Sequence, residues 1–345
     1  MAHPFRVFLS YAHEDFELAG KAAEVLAGLG LSPIWDRNIR PGSPFTDAIK
    51  GLIARSHVFM PLITAHAAQR PWVHQETGYA MALNIPILPV AVGTVPGEMA
   101  AQLQAIVVKA DLSNLAACLE AADLKTVVCA PPANPLNMIE VTTWTDERTK
   151  LLAGYAQAVT ELKASGRVRQ RAALSSFSIP DKGLENILWT LREGATPRTS
   201  FQRHWQREER RALERHVAQA GCDLIIDPTF SLVRHGEEAT KARLWIVYKF
   251  LESLPDDKVR VVLSPRAREG NLTIVGDWFS AESMSAHPTE GHRRTVFTWH
   301  APTVLQTLWG FDEDFAEQCA ETGSDASRSA AMSRLEEILG GWKPH

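Results

Sequence analysis

Cysteine is scarce and scattered: the 345-residue chain has four, at Cys118, Cys129, Cys222 and Cys319, and no two form a CxxC pair. That spacing argues against a zinc ribbon and against a disulfide framework, and leaves the four as small buried hydrophobes. Long apolar runs are also missing, since no segment reaches the ~20 uninterrupted apolar residues that a membrane helix needs. The opening MAHPFRVFLSYAHED turns polar after a short apolar run and lacks the basic region, long hydrophobic stretch and cleavage site of a secretion signal. A cytoplasmic location is therefore expected. Nor does charge of one sign dominate: 36 basic against 40 acidic residues give a net charge of −4, which provides no general attraction to nucleic acid or to an anionic membrane. The two groups His235, Glu237, Glu238 and His287, Glu290, His292 lack helical HExxH spacing, so no metal site is expected.

What the chain does have is enough apolar material for a core, with 45% hydrophobic and 22% charged residues. At roughly 150 residues per domain its length predicts two domains. From Phe5 to Cys129 short apolar runs alternate with amphipathic stretches, the pattern of strands and helices around a parallel sheet. Strands are expected at Phe5–Ser10, Ser32–Trp35, His57–Ile63, Pro86–Ala91 and Ala105–Ala110. Helices are expected near Asp15–Leu29, Phe45–Arg55, Gln69–Leu83 and Leu112–Ala122, with a weaker one at Pro96–Leu103. The first and third runs are continuously apolar, so they belong in the middle of a doubly wound sheet.

APPANPLN then brings three prolines and two asparagines together, which remove donors and favour extended or turn geometry. The predicted division is a domain over residues 1–129, a linker over 130–141 and a second domain over 142–345. In that second part the sequence predicts helices over Thr145–Gln170, Thr199–Gly221 and Glu238–Leu254. Strands are expected in CDLIIDP, VRVVLSP, NLTIVGDWF and RRTVFTWH, and exposed loops around Ser175–Ser178 and Glu193–Ser200. This is a second α/β or α+β domain. Its arginine-rich helix, RTSFQRHWQREERRALER, interleaves Glu208, Glu209 and Glu214, which favours local ion pairs over phosphate contacts.

Four segments in order carry a resemblance to a known family. They are FLSYAHED, WDRNIRPGSPF, SHVFMPLIT and RPWVHQE, in which Trp72 precedes Glu76 by four residues. From about Pro4 to Ala122 the chain resembles the Toll/interleukin-1 receptor (TIR) family, in particular its bacterial NAD-cleaving effectors; the second domain carries no recognised resemblance. The resemblance implies a flavodoxin-like, five-stranded parallel sheet. Independently of it, a parallel sheet binds ligands beyond the carboxyl ends of its strands, where strand order reverses. Ser10, Tyr11, residues 36–44 and Thr64 fall at those ends, and Trp72 and Glu76 share a helix face one turn apart.

By resemblance, Glu76 is the catalytic residue for cleaving the nicotinamide–ribose bond of NAD, stabilising a developing oxocarbenium ion. Phe45 would line the nicotinamide or adenine pocket. Trp72 would wall the carboxylate, and Ser10, Tyr11, Arg37 and Arg40 would position ribose or phosphate. For Ser10 and Tyr11 the alternative is structural, a hydroxyl at the strand end and a ring packed on the first helix. Where some family members place a basic residue after the Ser-Tyr pair, this chain has Ala12 and His13, so His13 or Arg37 would take that phosphate contact. NAD is substrate, and no cofactor is expected. The resemblance further implies self-association through TIR domains and their BB loop, and antiphage defence as the setting, with a nucleotide second messenger or protein trigger acting on the second domain. Nucleic acid and membrane are not expected partners. The other readings are an ADP-ribose cyclase, a non-enzymatic adaptor and a host-mimicking virulence protein.

Overall fold

The structure, a computed structural model, describes residues 5–35, 45–67, 71–93, 105–129, 139–142, 145–162, 166–180, 200–229, 236–264, 271–285 and 293–344. It has two compact units, Met1–Ile139 with Trp299–Gln306, and Glu140–Thr298 with Thr307–His345. The return of Trp299–Gln306 to the first unit is not part of the division expected from sequence. Among the described residues no helix is long and apolar enough to cross a membrane.

The first unit runs β1 (Arg6–Ser10), α1 (Phe16–Gly28), β2 (Ser32–Ile34), α2 (Phe45–Ala54), β3 (Val58–Ile63), α3 (Pro71–Ala82), β4 (Val90–Val92), β5 (Ile106–Val108), α4 (Leu115–Ala121) and α5 (Leu124–Cys129). Its five strands are parallel in the order β2-β1-β3-β4-β5, the flavodoxin-like arrangement. The two apolar runs expected at the centre lie side by side, in register from Val7↔Val58 to Ser10↔Pro61. Phe8 and Phe59 stack between them, with centroids 5.6 Å apart and planes 11° apart. Ile49 and Ile53 of α2 and Ala80 of α3 close over these rings. Burying each large apolar side chain there contributes roughly 1.5–3 kcal/mol relative to leaving it in water. The Pro86–Ala91 run pairs later than expected: Ile87 makes one isolated bridge to Phe59, and the ladder begins at Val90. The weaker Pro96–Leu103 helix lies outside the described residues.

Helix α1 ends in a left-handed turn at Gly30, while Gly28 remains its last helical residue. Gly30 takes a left-handed φ of 75°; its amide reaches the Ala27 carbonyl at 3.0 Å and that of Leu31 reaches Leu26 at 3.0 Å. This pair of bonds satisfies carbonyls the helix end would leave open and turns the chain into β2. Strand order reverses between β1 and β3, so a cleft opens beyond their carboxyl ends, at Ser10 and Thr64.

The second unit runs β6 (Ile139–Thr142), α6 (Thr145–Glu161), β7 (Val168–Ala172), a 3-10 turn (Ser176–Ser178), α7 (Ser200–Ala220), β8 (Cys222–Ile226), α8 (Glu237–Glu252), β9 (Val259–Leu263), β10 (Asn271–Val275), β11 (Phe279–Ser285), β12 (Arg293–Thr298), α9 (Ala301–Thr322) and α10 (Arg328–Leu339). The sheet order is β6-β12-β11-β10-β7-β8-β9. β7, β8 and β9 are parallel, whereas β10 to β12 form an antiparallel meander. The second domain is thus a mixed α/β structure.

Four expectations for this part are corrected. The helix expected over Thr145–Gln170 stops at Glu161, and Val168–Ala172 is a strand; Gly166, two residues before that strand, takes a φ of 108°, where a side chain would be strained. NLTIVGDWF is not one strand, because Gly276 takes φ 57° and turns β10 back into β11. Ser175–Ser178 is not an exposed loop: Ser176, Phe177 and Ser178 are buried, and the Phe177 ring stacks on Phe250 at 4.0 Å. Ile139–Thr142, largely assigned to the linker, is an edge strand. On α7 the expected local ion pairs are present, Arg210 Nε–Glu214 at 2.6 Å and Arg211 Nη1–Glu208 at 2.7 Å. Glu209 instead turns inward and accepts from Ser176 Oγ at 2.5 Å. Of the cysteines, Cys222 is buried, while Cys118 and Cys319 are only partly so.

Candidate active site

Helix α3 builds the site from the side of β3. Pro71 opens it, its fixed φ suiting a first helical position, and the 3.6-residue period puts Trp72 and Glu76 on adjacent turns of one face. The inward stripe of this helix is Val73, Glu76, Thr77 and Ala80, all buried. Three of those are small or apolar and fit a core. Glu76 is the exception, a carboxylate that is 6% exposed. Burying such a group is costly unless it accepts hydrogen bonds.

The partner comes from β1, the interior strand beside β3. Ser10, the last residue of β1 and 1% exposed, donates its hydroxyl proton to Glu76 Oε2 at 2.5 Å across 66 residues of sequence. Beside this pair lies a cavity of about 360 Å³, lined by Phe8 to Glu14, Ile49, Trp72, Val73 and Glu76. Its floor is the carboxyl end of β1, and α3 supplies one wall. The remaining wall, Ala12 to Glu14, is the segment leading into α1. A carboxylate facing such a cavity can stabilise positive charge developing on a bound group, and one oxygen has its position fixed by Ser10.

Tyr11 both lines this cavity and packs inward, its ring 5.9 Å from Trp35 and 6.4 Å from Phe16. The ring thus packs inward, as in the structural role, while one part of the residue faces the cavity. Trp72 lines the cavity and also packs against the Phe8–Phe59 core, so its ring links α3 to the sheet. Trp35 is buried, as core. Residues 36–44, with Arg37 and Arg40, lie outside the described residues, and so does the side chain of Phe45, whose backbone begins α2.

With that geometry in place the sequence can be compared with known proteins. Residues 7–126 match the family described as the TIR domain. The N-terminal domain is a TIR domain. No curated protein matches the chain. Among solved structures, the TIR domains of the activated Roq1 resistosome directly recognising the pathogen effector XopQ align over 36% of this chain and 73% of that one, at 18% identity and a TM-score of 0.26. TrmBL2, an archaeal chromatin protein, aligns over 59% of this chain and 62% of that one, at 13% identity and a TM-score of 0.29.

The TIR domain holds a further group that sequence reasoning did not assemble. Asp15, 8% exposed, accepts from Thr64 Oγ1 at 2.5 Å and lies 2.9 Å from His66 Nδ1. The signal was half present, since an acidic residue after the first strand and a Ser or Thr after the third are both among the positions that carry the resemblance. Their pairing, 49 residues apart, becomes visible only when β1 and β3 are side by side.

Proposed function

We propose that the TIR domain cleaves the nicotinamide–ribose bond of NAD, with Glu76 as the catalytic carboxylate. The observation that carries this reading is a nearly buried glutamate, held by Ser10, on the wall of a cavity at the carboxyl edge of the sheet. Nicotinamide leaves a pyridinium as a neutral base, so the departing group needs no proton. The demand falls on stabilising an oxocarbenium-like transition state at the ribose, and a preorganised carboxylate in a partly desolvated site meets it. Phe8, Ile49 and Trp72 give the cavity an apolar side suited to a flat heteroaromatic ring. Ser10 and Tyr11 line the polar side, next to the ribose. Arg37, Arg40 and Phe45 complete the proposed set at the BB loop, through which neighbouring TIR domains assemble and become active. The second domain governs that assembly in response to a trigger such as a nucleotide second messenger or a protein, and the setting is antiphage defence by NAD depletion.

The test is to incubate the concentrated, full-length protein with NAD and to separate nicotinamide, ADP-ribose and cyclic ADP-ribose by chromatography. Nicotinamide with linear ADP-ribose supports a hydrolase, and a cyclic product supports a cyclase using the same carboxylate. Absence of release from assembled protein supports the non-enzymatic adaptor or virulence mimic and contradicts this proposal.

A further inference from the structure

Between the start of α1 and the chain beyond β3 a second set of side chains is tied together that the proposed role of Glu76 does not use. Asp15 occupies the N-cap position of α1, where an aspartate normally accepts from the first-turn amides. Its side chain makes no capping bond. Both oxygens turn instead to the chain beyond β3, where Thr64 Oγ1 donates to Oδ2 and His66 Nδ1 meets Oδ1. Thr64 is fixed in turn, because its Oγ1 accepts from the Ala67 amide at 3.0 Å. Ala67 packs on Ala12 and Val73, and both of these line the cavity.

His66 is thereby anchored one residue before Ala67, which packs on the cavity-lining Ala12 and Val73, and 60% of its side chain is exposed. An ionised carboxylate can only accept, so Nδ1 carries the proton of that bond, and in the neutral imidazole Nε2 is then the accepting nitrogen. A carboxylate-oriented imidazole with its second nitrogen open to solvent is an arrangement that presents a base. Among the described residues near the cavity, His66 is the histidine with a carboxylate on its ring; His13 lines the cavity itself.

Resting on the NAD-cleaving reading, we propose that His66, oriented by Asp15 and Thr64, accepts the proton of the water that completes hydrolysis. The ribose C1′–nitrogen bond breaks and its electron pair leaves with nicotinamide. The water oxygen bonds to C1′ and its proton passes to His66 Nε2, then to solvent. NAD and water give ADP-ribose, nicotinamide and one proton. Attack by a neutral ring nitrogen has no proton to lose, so the base favours water and makes the site a hydrolase in preference to a cyclase. His66 is a catalytic residue in this scheme, and Asp15 and Thr64 are positioning residues.

The experiment supplies the full-length protein with NAD and acetylpyridine, a neutral ring nitrogen that competes with water for the ribose. ADP-ribose and the exchanged dinucleotide are measured together. In His66→Gln, and in Asp15→Asn, ADP-ribose formation should fall about tenfold or more while exchange persists, so the ratio of exchange to hydrolysis rises. Persisting exchange also shows that the variant is folded. An unchanged ratio, whether both rates fall together or neither does, overturns the proposal. So does a rise produced by His13→Gln and absent from His66→Gln. Wild-type protein that forms neither nicotinamide nor exchange product refutes NAD cleavage itself, and the assignment of His66 with it. Wild type that cleaves with an unshifted His66→Gln ratio refutes the assignment of His66 alone.

Discussion

Ser10 Oγ lies 2.5 Å from Glu76 Oε2, a hydrogen bond between the last residue of β1 and the second turn of α3. The bond supplies a donor to a carboxylate that the fold takes out of water, and it fixes where that carboxylate points. Hydrogen bonds to charged groups of this kind are worth about 1.5–3 kcal/mol. Ser10→Ala should therefore lower kcat for nicotinamide release by roughly tenfold to a hundredfold, with a smaller change in KM. Steady-state kinetics read this directly; an unaltered kcat would mean that Glu76 acts without Ser10.

In the second domain, Asp223 is fully buried in the β8 strand and flanked in register by Arg169 of β7 and Arg260 of β9. Arg260 Nη2 and Arg167 Nε approach it at 2.7 Å and 2.8 Å. Burial alone would raise this carboxyl, but the Arg260 hydrogen bond and the charges of Arg167, Arg260 and Arg169 outweigh burial and hold it below the ordinary range. Removing one partner of a buried ion pair strands the others, so Asp223→Asn should destabilise this domain by about 3–5 kcal/mol. Urea unfolding of the full chain measures it, and a loss near zero would contradict the account.

The same shift fixes a pH dependence. A carboxyl depressed in the folded state contributes its stability above its unfolded value, near 3.9, and loses it as the pH falls through the lower folded value. His216 acts at a higher pH: burial lowers its value, partly opposed by the hydrogen bond to the Gly166 carbonyl. Its neutral form is favoured in the fold, so stability should begin to fall as the pH drops below the unfolded value near 6.5. Melting temperatures from pH 8 to 5 test this. His216→Gln should flatten the slope between about pH 7 and 5, and an unchanged slope would assign it to other groups.

Gly166 and Gly276 meet backbone to backbone. A Cβ on Gly166 would fall 2.6 Å from Gly276 Cα, and φ at Gly166 is 108°. Both the clash and the dihedral oppose any side chain, so Gly166→Ala should cost about 1–3 kcal/mol or more. Gly28→Ala, which meets open space inside a helix, should instead stabilise by about 0.4–1 kcal/mol. Thermal denaturation of the two variants compares them.

The parallel sheet of the first domain was legible because β1 and β3 are buried on both faces and read as unbroken apolar runs. The position of Glu76 was legible from its spacing to Trp72 within α3. The two hydroxyl–carboxylate pairs, Ser10 with Glu76 and Thr64 with Asp15, were not, since each joins a strand end to a helix that lies far from it in sequence. In the second domain the strand Val168–Ala172, VRQRA, alternates with arginines that are neutralised by acidic residues far along the chain, such as Asp223 and Asp312. Without that pairing its pattern reads as a polar extension of the helix before it. Likewise Glu209 looks like one more exposed acid on α7, and its inward turn depends on Ser176, which donates to it from the turn after β7 and itself accepts from Gln170 of β7.

The central claim is that the Glu76 carboxylate performs NAD cleavage, and the most direct measurement is the rate of nicotinamide release from NAD by the assembled full-length protein and by Glu76→Gln. That substitution keeps the size of the side chain and lets it still bond Ser10, but removes the charge. The account predicts release by the wild type and a fall of about a hundredfold or more in the variant. Equal rates in the two proteins, or no release from either, would contradict it.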